Sequence, residues 1–304
     1  MKTTPRISII TLNWNGTDIT IELLRSINQH ITYDNMEVIV VDNGSTIDPS
    51  QKLLEIMPDV KIILNGKNLG FAAGMNVGLE KATGEYLFVV NNDTEFTSGM
   101  LEGLIEVYDE FPKVGLVSPK FQYFFDKGTI EYAGYTKMNP ITGRNATIGS
   151  KEKDTGQYCN IEATHFPHGG GMMISREVYS KVGGIPEDFG FYYEEFDWAE
   201  KIKKLGYQIY VQPKSLIYHK ESMSTGKNSP FKTFYQTKNR ILFMKKNFSS
   251  VYYLLFMCYF MTVVAPSKTG KYIFKKEMKN LHAFWKGILW NIFPTITSNT
   301  FINK

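Results

Sequence analysis

Glu37-Val38-Ile39-Val40-Val41-Asp42-Asn43-Gly44-Ser45 decides the fold. Its apolar run has no polar alternation and is stopped at once by a turn signal. A strand that is apolar on both faces must be covered on both, as in a parallel sheet between helical layers. The flanking sequence repeats the theme. Residues 7–12 form a second β-rich run ended by Asn13-Trp14-Asn15-Gly16, and 17–30 place Ile21, Leu24 and Ile27 on one helical face. A helix around 49–57, a strand at 60–64, a helix at 72–82 and a strand at 86–90 follow. The alternation predicts parallel βαβ units. In such sheets ligands gather beyond the carboxyl ends of the strands, so the ends at Asn13/Asn15, Asp42-Asn43-Gly44-Ser45 and Asn91-Asn92-Asp93 should share one crevice. Further on, the pattern predicts a helix at 99–110, loops and hairpins over 121–160, and Gly169–Ser175 opening into a helix at 176–182. A helix at 195–205, a strand at 208–211 and a basic helix at 231–247 complete it.

The 304 residues, 43% of them hydrophobic, suffice for a buried core and exclude a disordered or disulfide-stapled chain. The net charge of +4 is a cancellation. Residues 1–219 carry 20 Lys and Arg against 28 Asp and Glu, whereas 220–304 carry 14 against Glu221 and Glu277 alone. Cys159 and Cys258 are too differently placed to suggest a bridge and have no metal-type spacing. The Met1-Lys2-Thr3-Thr4-Pro5-Arg6 start lacks an h-region, and sequons at Asn15, Asn43 and Asn92 fall in turns expected to touch substrate. A cytoplasmic location is expected.

Five motifs carry chemistry. Asp42 at a strand tip, before a turn exposing N–H groups, suits an imide or ribose hydroxyl, or serves a tight turn alone. Glycines at 66, 70, 74 and 78 leave a bare face for a strand or a nucleotide to approach. No Walker A or G-x-G-x-x-G pattern occurs, which counts against kinases and dehydrogenases. Asp93, past a buried strand, is placed to ligate Mg²⁺ or Mn²⁺ shared with a diphosphate. Glu194, Glu195 and Asp197, wrapped in aromatics, should have raised pKa values suited to a general base, the alternative being an acid-rich helix start. His219 could complete a metal or phosphate site. His165 and His168 make a poor helical metal pair, with Pro167 between them and three glycines following.

Together, segments 8–16, 37–46, 68–79, 87–95, 170–184 with 190–206, and His219 resemble the inverting family 2 glycosyltransferases of the GT-A fold, in particular their rhamnosyltransferase-like, cell-surface polysaccharide branch. The resemblance covers about residues 5–220. It implies an α/β fold, a Rossmann-like, mostly parallel sheet flanked by helices, over 1–225. The nucleotide-binding half would be about 1–115 and the acceptor half 116–225, with a basic, partly apolar helical extension at 226–304. It implies that Asp42, with Thr11, Asn13 and Asn15, holds the base and ribose, helped by Asn43 and Gly44. Asn68, Gly70 and Asn76 would border the donor, with Asn91 and Asn92 beside it. Asp93 and His219 would serve a divalent cation (Mn²⁺ or Mg²⁺), and Glu195 would be the base, with Glu194 and Asp197 as rivals. Asn91 and Asn92 stand where many relatives have acids. The implied reaction is transfer from a dTDP- or UDP-sugar to a glycan or lipid-linked acceptor hydroxyl. A sugar nucleotidyltransferase would need a basic Gly-rich loop where Asn13-Trp14-Asn15-Gly16 stands, and a non-catalytic sugar-binding protein would not need the acid cluster.

The uncharged run 251–265 would reach about 22 Å as a helix, short of the roughly 30 Å hydrocarbon core. Lysines flank it on both sides, each adding about 1 kcal/mol of attraction to anionic lipid. Peripheral contact with the inner membrane face is expected, the alternatives being a core helix or a homodimer interface; nucleic acid is not.

Overall fold

The computed structural model describes residues 4–220 and 229–293; Met1-Lys2-Thr3 and Glu221 of the readings above lie outside them. Strands β1 (Ile7–Asn13), β2 (Met36–Asp42), β3 (Lys61–Leu64) and β4 (Tyr86–Val90) run parallel in the order β3-β2-β1-β4. Between them lie α1 (Thr17–His30), α2 (Ser50–Ile56) and α3 (Phe71–Lys81). Alternate residues face opposite layers, as the pleat requires. Ile7, Ile9, Val38 and Val40 pack with Leu23, Leu24 and Ile27 of α1. Ile10, Ile39 and Val41 pack with Met75 and Leu79 of α3. The glycine face of α3 meets the sheet: a Cβ at Gly78 would lie 2.4 Å from Ile10 Cγ2.

Beyond β4 the sheet becomes mixed. A short β5 (Thr94–Phe96) and α4 (Met100–Glu110) lead to β6 (Val114–Tyr123) and β7 (Ile130–Tyr132). The hairpin-and-loop expectation for 121–160 missed that β6 is a buried ten-residue strand whose end runs into this segment. Short β8 (Glu162–Thr164) and β9 (Gly171–Ser175) follow. Gly169–Ser175 does open into the helix at 176–182, and its part from Gly171 on is a strand, antiparallel to both β4 and β6. Phe121 and Phe88 press on Gly171, where a side chain would not fit. After α5 (Arg176–Val182) and α6 (Glu194–Lys204), β10 runs the full length Gln208–His219 and sets His219 opposite Thr94 of β5.

The C-terminal helices are α7 (Pro230–Asn247), α8 (Ser250–Tyr259), α9 (Ala265–Phe274) and α10 (Met278–Trp290). Phe243, Phe256, Phe260 and Phe284 share one apolar cluster with Phe166, Phe189 and Trp198 of the α/β body. A π turn at Phe260–Val264 joins α8 and α9 into one 25-residue helix, Ser250–Phe274. This corrects the expected length: at 1.5 Å per residue the helix reaches about 37 Å. By length and composition it could cross a membrane, and 22% of its apolar window is buried. Cys159 and Cys258 are both free and exposed.

Candidate active site

The three strand ends do come together, and hydrogen bonds knit them. Asn13 Nδ2 donates to Asp42 Oδ1 at 2.7 Å, and Ser45 N–H donates to Asp42 Oδ2 at 2.9 Å. Thr20 Oγ1 links Asn13 Oδ1 (2.8 Å) to Asn92 Nδ2 (2.9 Å), tying β1 to the β4 turn. Asn15, at φ 50°, accepts from Thr46 N–H and donates its own N–H to Ser45 Oγ. Asn43 is buried and fully engaged. Its amide donates to Asn68 Oδ1 and Gly70 O, and its oxygen accepts from Asn65 Nδ2 and Leu69 N–H. Asn68 Oδ1 also accepts from Gly70 N–H at 2.8 Å, and Gly70, at φ +85°, opens α3. Gly44, at φ +77°, lies against the Lys67 backbone, where no Cβ fits. These residues therefore shape the crevice wall. Thr11 Oγ1 is buried without a hydrogen-bond partner.

One expected donor neighbour does something else. Both ends of the Asn76 amide bind Ile185 backbone groups, and Nδ2 also reaches Glu187. Asn76 is a clasp between α3 and the segment before α6, because it faces away from the β1–β2 loops toward that segment.

At the end of β4, Asn91 N–H donates to Gly170 O (3.0 Å) and Asp93 O accepts from Lys220 N–H (2.9 Å). Asp93 is buried, and its Oδ1 lacks a hydrogen-bond partner. His219 Nε2 lies 3.3 Å from that oxygen, and its Nδ1 lies 2.9 Å from both oxygens of Glu131. His168 Nε2 also points at Glu131, at 3.5 Å, while its Nδ1 accepts from Gly170 N–H. Ligand-type atoms of Glu131, His168 and His219 all lie within 4.8 Å of one another. Glu131, on β7, was not anticipated: a lone acid in an irregular stretch carries no signal. His168 was set aside for its sequence context, and it joins the cluster through the turn before β9 rather than through a helix.

The hydrogen bonds assign roles. An Nδ1 that accepts leaves a ring proton on His168 Nε2, which faces Glu131. Glu131 then also orients His219 through Nδ1, a carboxylate–histidine pairing that leaves Nε2 beside Asp93 Oδ1. Burial would raise the Glu131 pKa, but the bonds from His168 and His219 hold it at about 2. Burial would likewise lower His219, and Asp93 and Glu131 overcome this, lifting it to about 10. Without an ion His219 is thus an imidazolium between two carboxylates; a divalent cation taking the place of its Nε2 proton would meet Asp93 Oδ1 and an oriented imidazole, a nitrogen ligand that suits Mn²⁺ better than Mg²⁺.

The acid cluster opens α6. Tyr192 and Tyr193 precede it with φ 68° and 76°, two consecutive left-handed residues of a kind that persists only when neighbours over-determine it. The neighbours are on α7. Asn239 Nδ2 donates to the carbonyls of Phe189 (3.0 Å), Phe191 (2.6 Å) and Tyr192 (2.8 Å), and Lys238 Nζ donates to those of Asp188 and Phe189. Lys238 itself is pushed down to about 8 by burial, although Asp188 and Glu194 oppose it. Neither α7 residue was anticipated, since a contact 50 positions away leaves no local pattern.

Glu194 is buried with Oε2 unpartnered, and half-buried Glu195 sets its carboxyl group against Gly169, the residue after His168. Burial raises both carboxyl pKa values, and the Glu194 charge raises Glu195 further. Asp197, a rival base, is otherwise engaged: Asn247 Nδ2 (2.6 Å) and Lys246 Nζ (3.0 Å) bind it, so it fastens α6 to α7.

Comparison with known proteins shows the family and the fold. The family model described as "Glycosyl transferase family 2" matches residues 8–183. An N-acetylglucosaminyl-diphospho-decaprenol L-rhamnosyltransferase of Mycobacterium tuberculosis is 23% identical over 215 residues, 64% of this chain and 69% of its own. The dTDP-rhamnosyl transferase RfbF of Shigella flexneri is 25% identical, covering 74% of this chain and 77% of its own. Among solved structures, the mannosyltransferase PcManGT of Pyrobaculum calidifontis, in complex with GDP-Man and Mn²⁺, superposes with a TM-score of 0.59. That match has 16% identity and covers 97% and 89% of the two chains. S. aureus TarS 1-349 gives 0.58 at 16% identity, covering 94% and 80%. The chain belongs to glycosyl transferase family 2 and has the GT-A fold.

Proposed function

We propose that this glycosyltransferase moves a hexosyl or rhamnosyl group, with inversion, from a dTDP- or UDP-sugar to a hydroxyl of a lipid-linked glycan acceptor. One observation carries the reading. A carboxylate kept basic by burial, Glu195, sits on one side of His168-Gly169, and on the other sides lie Glu131, His219 and Asp93 Oδ1, which faces His219 Nε2. Glu195 accepts the proton of the acceptor hydroxyl as its oxygen forms a bond to the anomeric carbon and the bond to the nucleoside diphosphate breaks. Asp93 and His219 Nε2 would hold the cation, which, when bound, neutralises charge on the leaving diphosphate. Glu131 holds the His219 ring in place. Glu194 keeps Glu195 basic through like-charge repulsion, while Asp42, Asn13 and Thr11 serve the base and ribose. The names of the rhamnosyltransferase relatives support the donor and acceptor classes.

We also infer a cytosolic protein in peripheral contact with the inner membrane face. Exposed Val251, Leu254, Val263, Ile273 and Phe274 on the Ser250–Phe274 helix support this, as does the excess of lysines around it. The test is thermal shift and turnover with Mn²⁺ and a panel of dTDP- and UDP-sugars. Glu195→Gln is expected to keep the Mn²⁺-dependent donor shift and lose transfer, and Asp93→Asn to lose both. Full turnover by Glu195→Gln would remove the base from this scheme.

A further inference from the structure

A second cavity, of about 320 Å³, lies between α7, the π turn and α9, α10 and the 144–145 loop. It is distinct from the cation cluster and is linked to the acid helix by Tyr193, which lines it and directly precedes Glu194. Its polar lining is one-sided. Arg144, Arg240 and Lys268 all face it, and no carboxylate does. Among the described residues none of the three has an ion-pair partner, although ion pairs are common elsewhere in the chain. Arg240 is more than nine-tenths buried, and its Nε has no hydrogen-bond partner. The same is true of Asn145 Nδ2, on the opposite wall.

Two buried donors without acceptors are costly, and an anion would satisfy both and the positive charge of the buried Arg240, which otherwise faces only the Phe256 and Phe260 rings and Thr142 O. The walls are also held in shape. Arg240 Nη2 donates to Thr142 O, and Gly143, at φ +59°, lies against Phe256 and Met244, so the loop carrying Arg144 and Asn145 is pinned to α7 and α8. A guanidinium pair with an ammonium suits a phosphate or diphosphate, whose several oxygens take charge-assisted bonds at once. Thr233, Gln236, Thr237 and Tyr272 add neutral polar groups to the lining, and Phe260, Val264 and Phe284 give it an apolar side. Phe260 and Val264 belong to the helix whose outer face exposes Val251, Leu254 and Val263.

We propose that this cavity binds the diphosphate of the lipid-linked acceptor, with the cations on its phosphates and the helix Ser250–Phe274 along its hydrocarbon chain. The acceptor sugar is thereby presented past Tyr193 to Glu195. The assignment rests on the acceptor class proposed above.

The experiment titrates the full chain in EDTA, so that no divalent cation recruits anions to Asp93, with geranyl diphosphate and with inorganic pyrophosphate by calorimetry. Geranyl diphosphate is expected to bind about tenfold more tightly than pyrophosphate, because the apolar wall adds burial. Arg144→Gln with Lys268→Gln, both outside the core, is expected to weaken geranyl diphosphate about tenfold or more. The double variant should also keep the wild-type Mn²⁺-dependent donor shift, which reports that the fold is intact. Absence of binding, or undiminished binding by the double variant, overturns the site. Equal affinity for the two probes overturns its assignment to a lipid-borne anion. The donor assay separates the two readings, since donor binding with no diphosphate binding sinks the cavity alone. Diphosphate binding with no transfer from any donor sinks the proposed reaction alone.

Discussion

Asn239→Ala tests whether the C-terminal region builds the acid site. The Asn239 amide sits at 0% exposure and donates to three carbonyls of the 189–192 loop, while its own Oδ1 has no partner. The residue therefore contributes as a donor only. Two N–H groups shared among three acceptors give roughly two good hydrogen bonds, each worth about 1 kcal/mol net, and each stranded buried carbonyl costs about 1–3 kcal/mol. A loss of about 3 kcal/mol in urea unfolding follows. The loop also carries Tyr192 and Tyr193 in left-handed conformations, each opposed by about 1–3 kcal/mol of strain. Without the anchor these residues relax, and Glu194 and Glu195 lose their placement. The kcat is expected to fall at least about tenfold, with donor KM nearly unchanged, because the proposed donor contacts come from the β1, β2 and β4 ends. Asn239→Asp, which sets a carboxylate against the same carbonyls, should be worse on both counts. A folded Asn239→Ala enzyme with wild-type kcat would refute the idea that α7 positions the acids.

Other outcomes test the remaining structure. Because burial raises the Glu194 and Glu195 carboxyls and the Glu194 charge raises Glu195 further, kcat/KM should rise with pH through a limb well above the ordinary carboxyl range, and Glu194→Gln should move that limb to lower pH in a pH–rate profile. The same shift makes the fold prefer the protonated pair, so stability falls as pH climbs past the ordinary carboxyl pKa, and less so in Glu194→Gln. Gly78→Ala places a Cβ 2.4 Å from Ile10 Cγ2 and 2.9 Å from Val41 Cγ2. It should lower urea stability by about 1–3 kcal/mol in spite of its better helix propensity. Flotation with phosphatidylglycerol vesicles should recover the wild-type chain, and Val251→Glu with Leu254→Glu should reduce recovery while leaving the unfolding midpoint within about 0.5 kcal/mol of wild type. Equal flotation by that variant would remove the lipid-facing role of α8.

The parallel half of the sheet was legible because its strands announce themselves by uninterrupted apolar runs with asparagine- and glycine-rich ends. The positions of Asp93 and Glu195 at the boundaries of strong elements were legible too. The antiparallel half was hidden for a physical reason. In β9 the sheet is lined by glycine and methionine, and Phe121 fills the space that side chains would otherwise take, so the β signal sits on the neighbouring strand. Glu131 was hidden because its role comes from facing two histidines brought from 37 and 88 positions away. Asn76 misled in the opposite sense: a glycine-rich helix start suggests a ligand, whereas its amide serves Ile185.

The clasp of Asn239 and Lys238 on the 188–192 loop has a consequence for how the chain comes into being. During synthesis the four parallel strands and the turn bearing Asp93 emerge first, and a nucleotide-binding crevice can take shape on them. The strained turn before Glu194 emerges next, but the side chains that hold it are made only some fifty residues later. On the proposed roles, a nascent chain therefore passes through a stage with a formed donor crevice and an unplaced acid, able to hold an activated sugar and unable to use it. The clasp arrives late, with the same helices that carry the exposed apolar face, so the proposed reactive centre and that face are completed in one stretch of synthesis.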